Sequence, residues 1–510
     1  MYHNYDTCPH ILINYYFSKI YLSMLLRQSK NTFIRTTKKY GYITNQMTRM
    51  DRCYDENGAL WLKEIKRYPR RIPEIINNLK NNYEEVDLLQ LQNDFMDFIK
   101  SLEKHKFVIT GETIEEIEDK DRNFSYSMDN PKTLIDNYTQ FTEENITQNT
   151  QKVFFDAIKE TSTIVNLQFE LSSRCNERCI HCYIPNEKKN NGEDLPSEKV
   201  MELIDEYANM GGIHITFSGG EAFLHKDLIN LVQYSRKKDM KVSILSNLLS
   251  ITDKQINALK DLNISLVQTS LYSMDPKKHD FITTVKGSLE RTKSSIEKLV
   301  KADIPVQISC PIMKANFEGY EEVLEYAKSL KIKAECDYII MAQSDLNTNN
   351  LANRLNLDET EKLLRTIIEN DIDYREVTLQ QLPITDRIKY DLENYLKEPV
   401  CGVGYDNCCI SANGDVYPCS GWGGYVLGNV YKQPLKEIWL NSKKANELRS
   451  ITKASFPQCI KCEARNYCSS CLVRNFNESG GDMFAVNKHF CDVAFLTKRL
   501  VEEYKANGFL

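Results

Sequence analysis

Ile164-Val165-Asn166-Leu167-Gln168-Phe169-Glu170-Leu171-Ser172-Ser173-Arg174-Cys175-Asn176-Glu177-Arg178-Cys179-Ile180-His181-Cys182-Tyr183 carries two patterns in succession. The alternation from Ile164 to Leu171 predicts a strand. Cys175, Cys179 and Cys182 then crowd three thiolates into one short loop at its end. Three soft sulfur ligands, not four, suit a [4Fe-4S] cluster with one iron left open, and a metal centre that keeps an open position is the kind at which chemistry happens. A zinc knuckle would take four ligands arranged in pairs, and this loop offers no fourth.

The chain has 510 residues, 42% of them hydrophobic, too many for one core and enough for three domains. A formal charge of -6 gives no reason to expect nucleic acid as the main partner. The 16 cysteines are not a disulfide scaffold, because such scaffolds are short and these cysteines gather in two metal-like groups. A reducing, oxygen-poor cytoplasm is expected. The apolar stretch Ile11 to Leu26, broken by Asn14 and Lys19, is too short and polar to span a bilayer. It reads as an amphipathic docking helix or, with Met24 as an alternative start, an extension.

After it, Thr32 to Met47 predicts a hairpin around Lys39-Tyr40-Gly41. Asn57 to Arg67, Ile72 to Asn82 and Asp87 to His105 predict three helices, with Pro73 in the first turn of the second and Asp87 capping the third. Phe107 to Thr110 closes the unit as a strand. Strands with three short helices make a winged-helix shape. Its basic residues, Arg27, Lys30, Arg35, Lys38, Lys39, Arg49 and Arg52, suit an acidic peptide that adds a strand to a sheet edge. The second helix offers only Lys80 to phosphates or bases, so duplex reading is the weaker expectation. Glu112 to Asn149 has the composition of a linker.

From Thr161, strands alternate with amphipathic helices. Strands are predicted at Ile164 to Leu171, Gly212 to Ser218, Lys241 to Ser246, Ile264 to Leu271, Val306 to Ile312 and Lys333 to Ile340; helices at Ser197 to Met210, Asp227 to Lys238, Asp253 to Leu262, Ser288 to Ala302 and Tyr320 to Leu330. Six strands with helical crossovers predict an α/β fold, a parallel sheet curled into a partial (β/α)6 barrel whose site lies at the carboxyl ends of the strands.

With the Cys175, Cys179, Cys182 loop after the first strand, the chain resembles the radical S-adenosylmethionine (SAM) superfamily. The resemblance implies that the open iron chelates the amino and carboxylate groups of SAM, which is cleaved reductively to a 5′-deoxyadenosyl radical. Ser218-Gly219-Gly220-Glu221 matches the superfamily's Gly-Gly-Glu motif, and by that resemblance Gly219, Gly220 and Glu221 meet the SAM ammonium, the glycines letting backbone approach the ligand. Ser246, Asn247 and Ser270 end the next strands and resemble the ribose and carboxylate contacts. Tyr183 stands where family members place an aromatic against adenine. Farther on, Cys401, Gly414 to Cys419, Cys459, Cys462, Cys468, Cys471 and Cys491 are similar in order to the SPASM domain, although Cys468 and Cys471 lie one residue closer than its motif has them. Transferred by order, Cys459, Cys462, Cys468 and Cys491 hold one auxiliary [4Fe-4S] cluster and Cys401, Cys419 and Cys471 another, its fourth position filled by Cys408, by Cys409 or by substrate. Paired cysteines also suit zinc, and the upstream loop is what favours iron and sulfide. Cys8, Cys53, Cys310 and Cys336 are left as ordinary thiols.

The expected domains are 1–111 (1–26 an extension), a linker 112–160, the barrel 161–385 and the SPASM domain 386–510. In that order they resemble maturases of ribosomally made peptides, of the type with an amino-terminal leader-recognition (PqqD-like) domain. The resemblance implies a precursor peptide held by its leader, three [4Fe-4S] clusters, SAM, and an electron donor such as flavodoxin or ferredoxin. Thioether crosslinking, as in sactipeptide and ranthipeptide maturases, is the expected reaction. Carbon-carbon or carbon-oxygen crosslinking, epimerisation and formylglycine formation use the same architecture, and a non-enzymatic winged-helix iron-sulfur regulator is a rival of another class. No general base is identified; Asp275, His279, Asp280, Asp337 and Tyr338 lie near the predicted strand ends.

Overall fold

The computed structural model describes residues 23–123, 158, 163–190, 192–379 and 392–508. The chain divides into two compact units, 1–125 with 130–161 and 126–129 with 162–510. Cys8 and most of the stretch Ile11 to Leu26 lie outside the described residues, as does the linker beyond 123, apart from residue 158.

In the first unit, β1 (Leu25–Gln28) lies between β5 (Arg70–Arg71) and β6 (Val108–Gly111), antiparallel to both. A second sheet holds β2 (Thr32–Thr36), β3 (Gly41–Asn45) and β4 (Met50–Tyr54), and its β2–β3 pairing closes at Thr36 opposite Gly41, where a hairpin is expected. Helices α1 (Glu56–Glu64), α2 (Ile72–Lys80) and α3 (Leu88–Lys104) bury Leu62, Ile75, Ile76, Phe95 and Ile99 against Leu26 and Ile43. The Asp87 carboxylate caps α3 at the Leu89 amide, 2.8 Å away. Two expectations change here. Leu25 and Leu26 belong to a central strand, not to an extension, because strand pairing on both sides uses their backbone. The linker reading fails for α4 (Ile114–Lys120), which packs on β6. Glu118 in α4 and Asp121 just after it bind Arg27 at 2.6 and 2.9 Å, and Glu118 binds Lys30 at 2.8 Å. Two of the basic residues assigned to peptide binding are thus paired within the unit.

The second unit is built on one nine-stranded sheet. β7 (Asn166–Ser172), β8 (His214–Gly219), β9 (Lys241–Ser246), β10 (Leu266–Ser270), β11 (Val306–Pro311) and β12 (Lys333–Asp337) run parallel in that order. On the far side of β7 the sheet continues into β13 (Asn407–Ile410), parallel to it, then the antiparallel β14 (Asp415–Tyr417) and β15 (Gly428–Asn429). The barrel and the cysteine-rich segment, separated in the sequence reading at 385/386, therefore share a sheet and an apolar core.

Register sorts the side chains of that sheet. Ile410, Phe169, Phe217, Ile244, Val267 and Val306 form one row across six strands, each fully buried under the crossover helices. Alternation puts Gln168, Glu170, Ser172, Thr216, Ser218, Ser243 and Gln268 on the opposite face, which lines the lumen. Closed eight-stranded barrels fill that space with branched apolar chains. Here the lumen is polar, and Gln168 Nε2 donates to Ser218 Oγ on the neighbouring strand at 2.7 Å.

Candidate active site

The cysteine loop leaves β7 and is pinned by backbone on two sides. The Arg178 and Ile180 amides donate to the Thr283 and Ile282 carbonyls at 3.1 and 3.0 Å. Arg178 Nη1 donates to the Cys175 and Glu177 carbonyls at 2.7 and 2.8 Å, while Asn350 and Asn353 each donate at 3.1 Å to the His181 and Ile180 carbonyls. Cys175, Cys179 and Cys182 are all half-buried.

Gly219 and Gly220 are packed tightly against the protein's own backbone. A Cβ on Gly220 would stand 2.3 Å from the Arg174 carbonyl oxygen, and one on Gly219, whose φ is +136°, 2.4 Å from that of Ser172. The glycines let the end of β8 lie against the backbone that opens the cysteine loop; their close approach is to protein. The Gly220 and Glu221 amides complete the contact, donating to Ser172 and Arg174 at 2.8 and 2.9 Å.

Glu221 is 1% exposed, and its carboxylate is occupied by protein donors. Oε1 accepts from Ser246 Oγ at 2.7 Å and the Phe223 amide at 2.9 Å, and Oε2 accepts from the Asn247 amide at 2.8 Å. Asn247 Nδ2 donates to Asn176 Oδ1 at 2.6 Å and lies 3.9 Å from Cys175 Sγ. Cys175, Glu221, Ser246 and Asn247, distant in the chain, thus form one network at the ends of β8 and β9. Ser270 joins from the other side through Tyr272, whose Oη donates to Cys179 Sγ at 3.6 Å.

Tyr183 makes its side-chain contact elsewhere, on β7. Its Oη stands 3.5 Å from Glu170 Oε1, and the ring lines a cavity that Ser172, Ser173 and Gly220 also line. His181, which the sequence reading passed over, lies between the second and third cysteines with its ring 5.2 Å from that of Tyr272 and its Nδ1 buried without a partner. Burial holds the His181 imidazole down at about 4, so it is neutral. Glu177 is the other omission, with Oε2 3.2 Å from Cys179 Sγ and its carboxyl pushed up to about 7 by burial. Histidine and glutamate inside a cysteine spacing were a readable signal. The residues near the strand ends have structural work: Asp275 caps the helix that follows it, Asp280 accepts from the Gly287 and Ser288 amides, and Asp337 pairs with Arg474.

Two further thiol groups form in the carboxyl-terminal third. Cys401, Cys419 and Cys471 lie within electrostatic reach of one another, and burial raises the first to about 11 and the second to about 12. Cys468 lies likewise near Cys491, Cys459 and Cys462, and burial raises it to about 11. On β13, Cys408 is in register with Leu167 and faces the apolar core, whereas Cys409, beside Gln168, faces the lumen near Glu170 and Cys419. Buried Arg354 and Glu478, 2.5 Å apart, tie the loop after β12 to the helix that Cys471 opens.

Among the described residues, no three Cys, His, Asp or Glu side chains converge as ligands of a single ion. Each thiolate of a [4Fe-4S] cluster binds a different iron, so cluster ligands need no common point. The donor chemistry of the Cys175, Cys179, Cys182 loop and the unpartnered His181 nitrogen beside it fit a cluster with a polar ligand. Burial raises the Cys175 thiol to about 11, a cost that bound iron reverses by holding the sulfur as thiolate.

Comparison with known proteins agrees with this geometry. Residues 169–330 match the radical SAM superfamily model, and 401–463 the SPASM iron-sulfur cluster-binding domain. An AdoMet-dependent heme synthase of Methanosarcina barkeri is 26% identical over 62% of this chain and 93% of its own. AlbA of Bacillus subtilis, an antilisterial bacteriocin subtilosin biosynthesis protein, is 24% identical over 61% of this chain and 68% of its own. The crystal structure of Streptococcus suis SuiB bound to its precursor peptide SuiA superposes with a TM-score of 0.57 at 16% identity, covering 91% of this chain and 99% of that one. The chain is an enzyme that carries a radical SAM domain over residues 169–330 and a SPASM domain over 401–463, and these domains support SAM and iron-sulfur clusters as cofactors. Among the described residues no helix is long and apolar enough to cross a membrane.

Proposed function

We propose that this radical SAM/SPASM enzyme modifies a ribosomally synthesised precursor peptide and that the product is a cysteine-derived thioether crosslink. The observation that carries the reading is the joint presence, in one chain, of a separate small β/α unit and the cluster-bearing unit; SuiB, solved with its precursor peptide, shares the fold over nine-tenths of the chain. Residues 1–111 would hold the leader, raising the local concentration of the attached core peptide at the lumen. Cys175, Cys179 and Cys182 would hold the SAM cluster. Cys459, Cys462, Cys468 and Cys491 would hold one auxiliary cluster, and Cys401, Cys419 and Cys471 the other. A bound cluster and SAM, with a flavodoxin or ferredoxin as electron donor, would supply radical chemistry for removing hydrogen from carbon. Around it the protein's own groups orient: Glu221 holds Ser246 and Asn247 against the loop, and the polar lumen face would meet the substrate.

The heme synthase likeness supports heme synthesis as a second reading, although that match extends over 62% of the chain. The test uses anaerobically reconstituted protein. About twelve irons per chain, 5′-deoxyadenosine release from SAM and dithionite, and loss of a hydrogen pair from a co-expressed cysteine-containing precursor encoded beside the gene are expected. Turnover with an unchanged peptide mass, or conversion of a heme precursor instead, overturns the reading.

A further inference from the structure

A lysine is almost never fully buried unless it is paired. Lys189 breaks that rule. It stands in the short helix Asn186–Asn190, 3% exposed, and among the described residues its side chain has neither an ion pair nor a hydrogen bond. Lys188 beside it is exposed, so the burial belongs to this one position. The end of the helix is tied to the cysteine loop, where Arg178 Nη2 donates to Asn190 Oδ1 at 2.6 Å. The charge of Lys189 acts within the loop on Cys175, Glu177 and His181, and at Cys175 it favours the thiolate. Neither buried carboxylate at the loop pairs with it: Glu221 gives its oxygens to Ser246, Phe223 and Asn247, and Glu177 turns Oε2 to Cys179.

A buried cation is costly unless an anion meets it. A cluster held by three thiolates is such an anion, and the net charge around an iron-sulfur centre is one of the quantities that set its potential. We propose that Lys189 is the counter-charge of the cluster held by Cys175, Cys179 and Cys182, a positioning residue that makes this cluster easier to reduce. This rests on the radical SAM reading and adds a residue to it. The step favoured is transfer of one electron from an external reductant, dithionite in the test below, to the cluster; the reductant is oxidised, no bond to protein breaks and no proton moves.

The test is an anaerobic redox titration of the reconstituted holoenzyme with dithionite, followed by electron paramagnetic resonance. The signal of the loop cluster is the one missing when Cys175, Cys179 and Cys182 are all replaced by alanine. Lys189→Met keeps the length of the side chain and removes its charge. At a given potential it should lower the ratio of reduced to oxidised loop cluster at least about tenfold, a shift of about 59 mV for one electron, and leave the other signals in place. Lys189→Gln, polar and uncharged, should do the same, whereas Lys189→Arg should keep the ratio within about threefold of wild type. An unmoved potential in an iron-replete uncharged variant, or an equal shift of every cluster, overturns the proposal. A shift seen only with SAM present assigns the ammonium to the SAM carboxylate and overturns it too. Absence of 5′-deoxyadenosine from the wild type would instead refute the radical reading, while the potentials, which need no turnover, still decide the role of Lys189.

Discussion

The two faces of the nine-stranded sheet use neighbouring residues for opposite purposes. Phe169 and Phe217 stack at 5.9 Å under the helices, while Glu170 and Ser218, one residue on in each strand, face the lumen. The apolar face supplies burial, at about 25 cal/mol per Å², and so holds the strand ends in place. The polar face is tolerated because its groups bond to one another or line open space. Stability and chemistry are therefore separable one residue at a time.

Replacing Cys175, Cys179 and Cys182 together by alanine should break the chemical side completely: 5′-deoxyadenosine falls to background, while the apolar row keeps the circular-dichroism spectrum native. Phe217→Ala tests the other face and should cost about 3–5 kcal/mol in denaturant unfolding; a smaller loss than that from an exposed-face alanine would dissolve the distinction. Gly220→Ala acts at the seam, where its Cβ meets the Arg174 carbonyl. It should destabilise by about 1–3 kcal/mol and lower the iron content, because the loop must move. The smallest effect is a pH dependence. Glu170, raised from 4.5 to about 7, makes a contribution that is complete below its unfolded value and is lost as pH rises through 7. Between pH 5 and 8 the apo wild type should lose on the order of 1–2 kcal/mol relative to Glu170→Gln, and parallel curves would place the carboxyl in water.

Much of this was legible in the chain. The six parallel strands and five crossover helices fall within a few residues of their periodic runs, since each strand must bury alternate residues and each helix one stripe. Local pattern failed where partners decide. β1 looked like the tail of an apolar helix because its pairing with β5 and β6 is remote in sequence. Helix α4 looked like linker because its acidic residues are compensated by Arg27 and Lys30, some ninety positions away. Tyr183 follows Cys182 directly, yet its ring faces Glu170 and the cavity, a direction that no spacing encodes.

By itself, the sequence determined the strand and helix order, the three cysteine groups and the kind of metal chemistry they suit, because ligand type and hydrophobic period are local properties. Only the tertiary structure decided that the cysteine-rich part extends the barrel's own sheet, that Gly219 and Gly220 serve the loop's backbone, and that Glu221 spends its carboxylate on Ser246 and Asn247. Those outcomes depend on which remote backbones meet and which polar groups burial leaves to be satisfied, and a buried carboxylate takes its role from the donors that surround it.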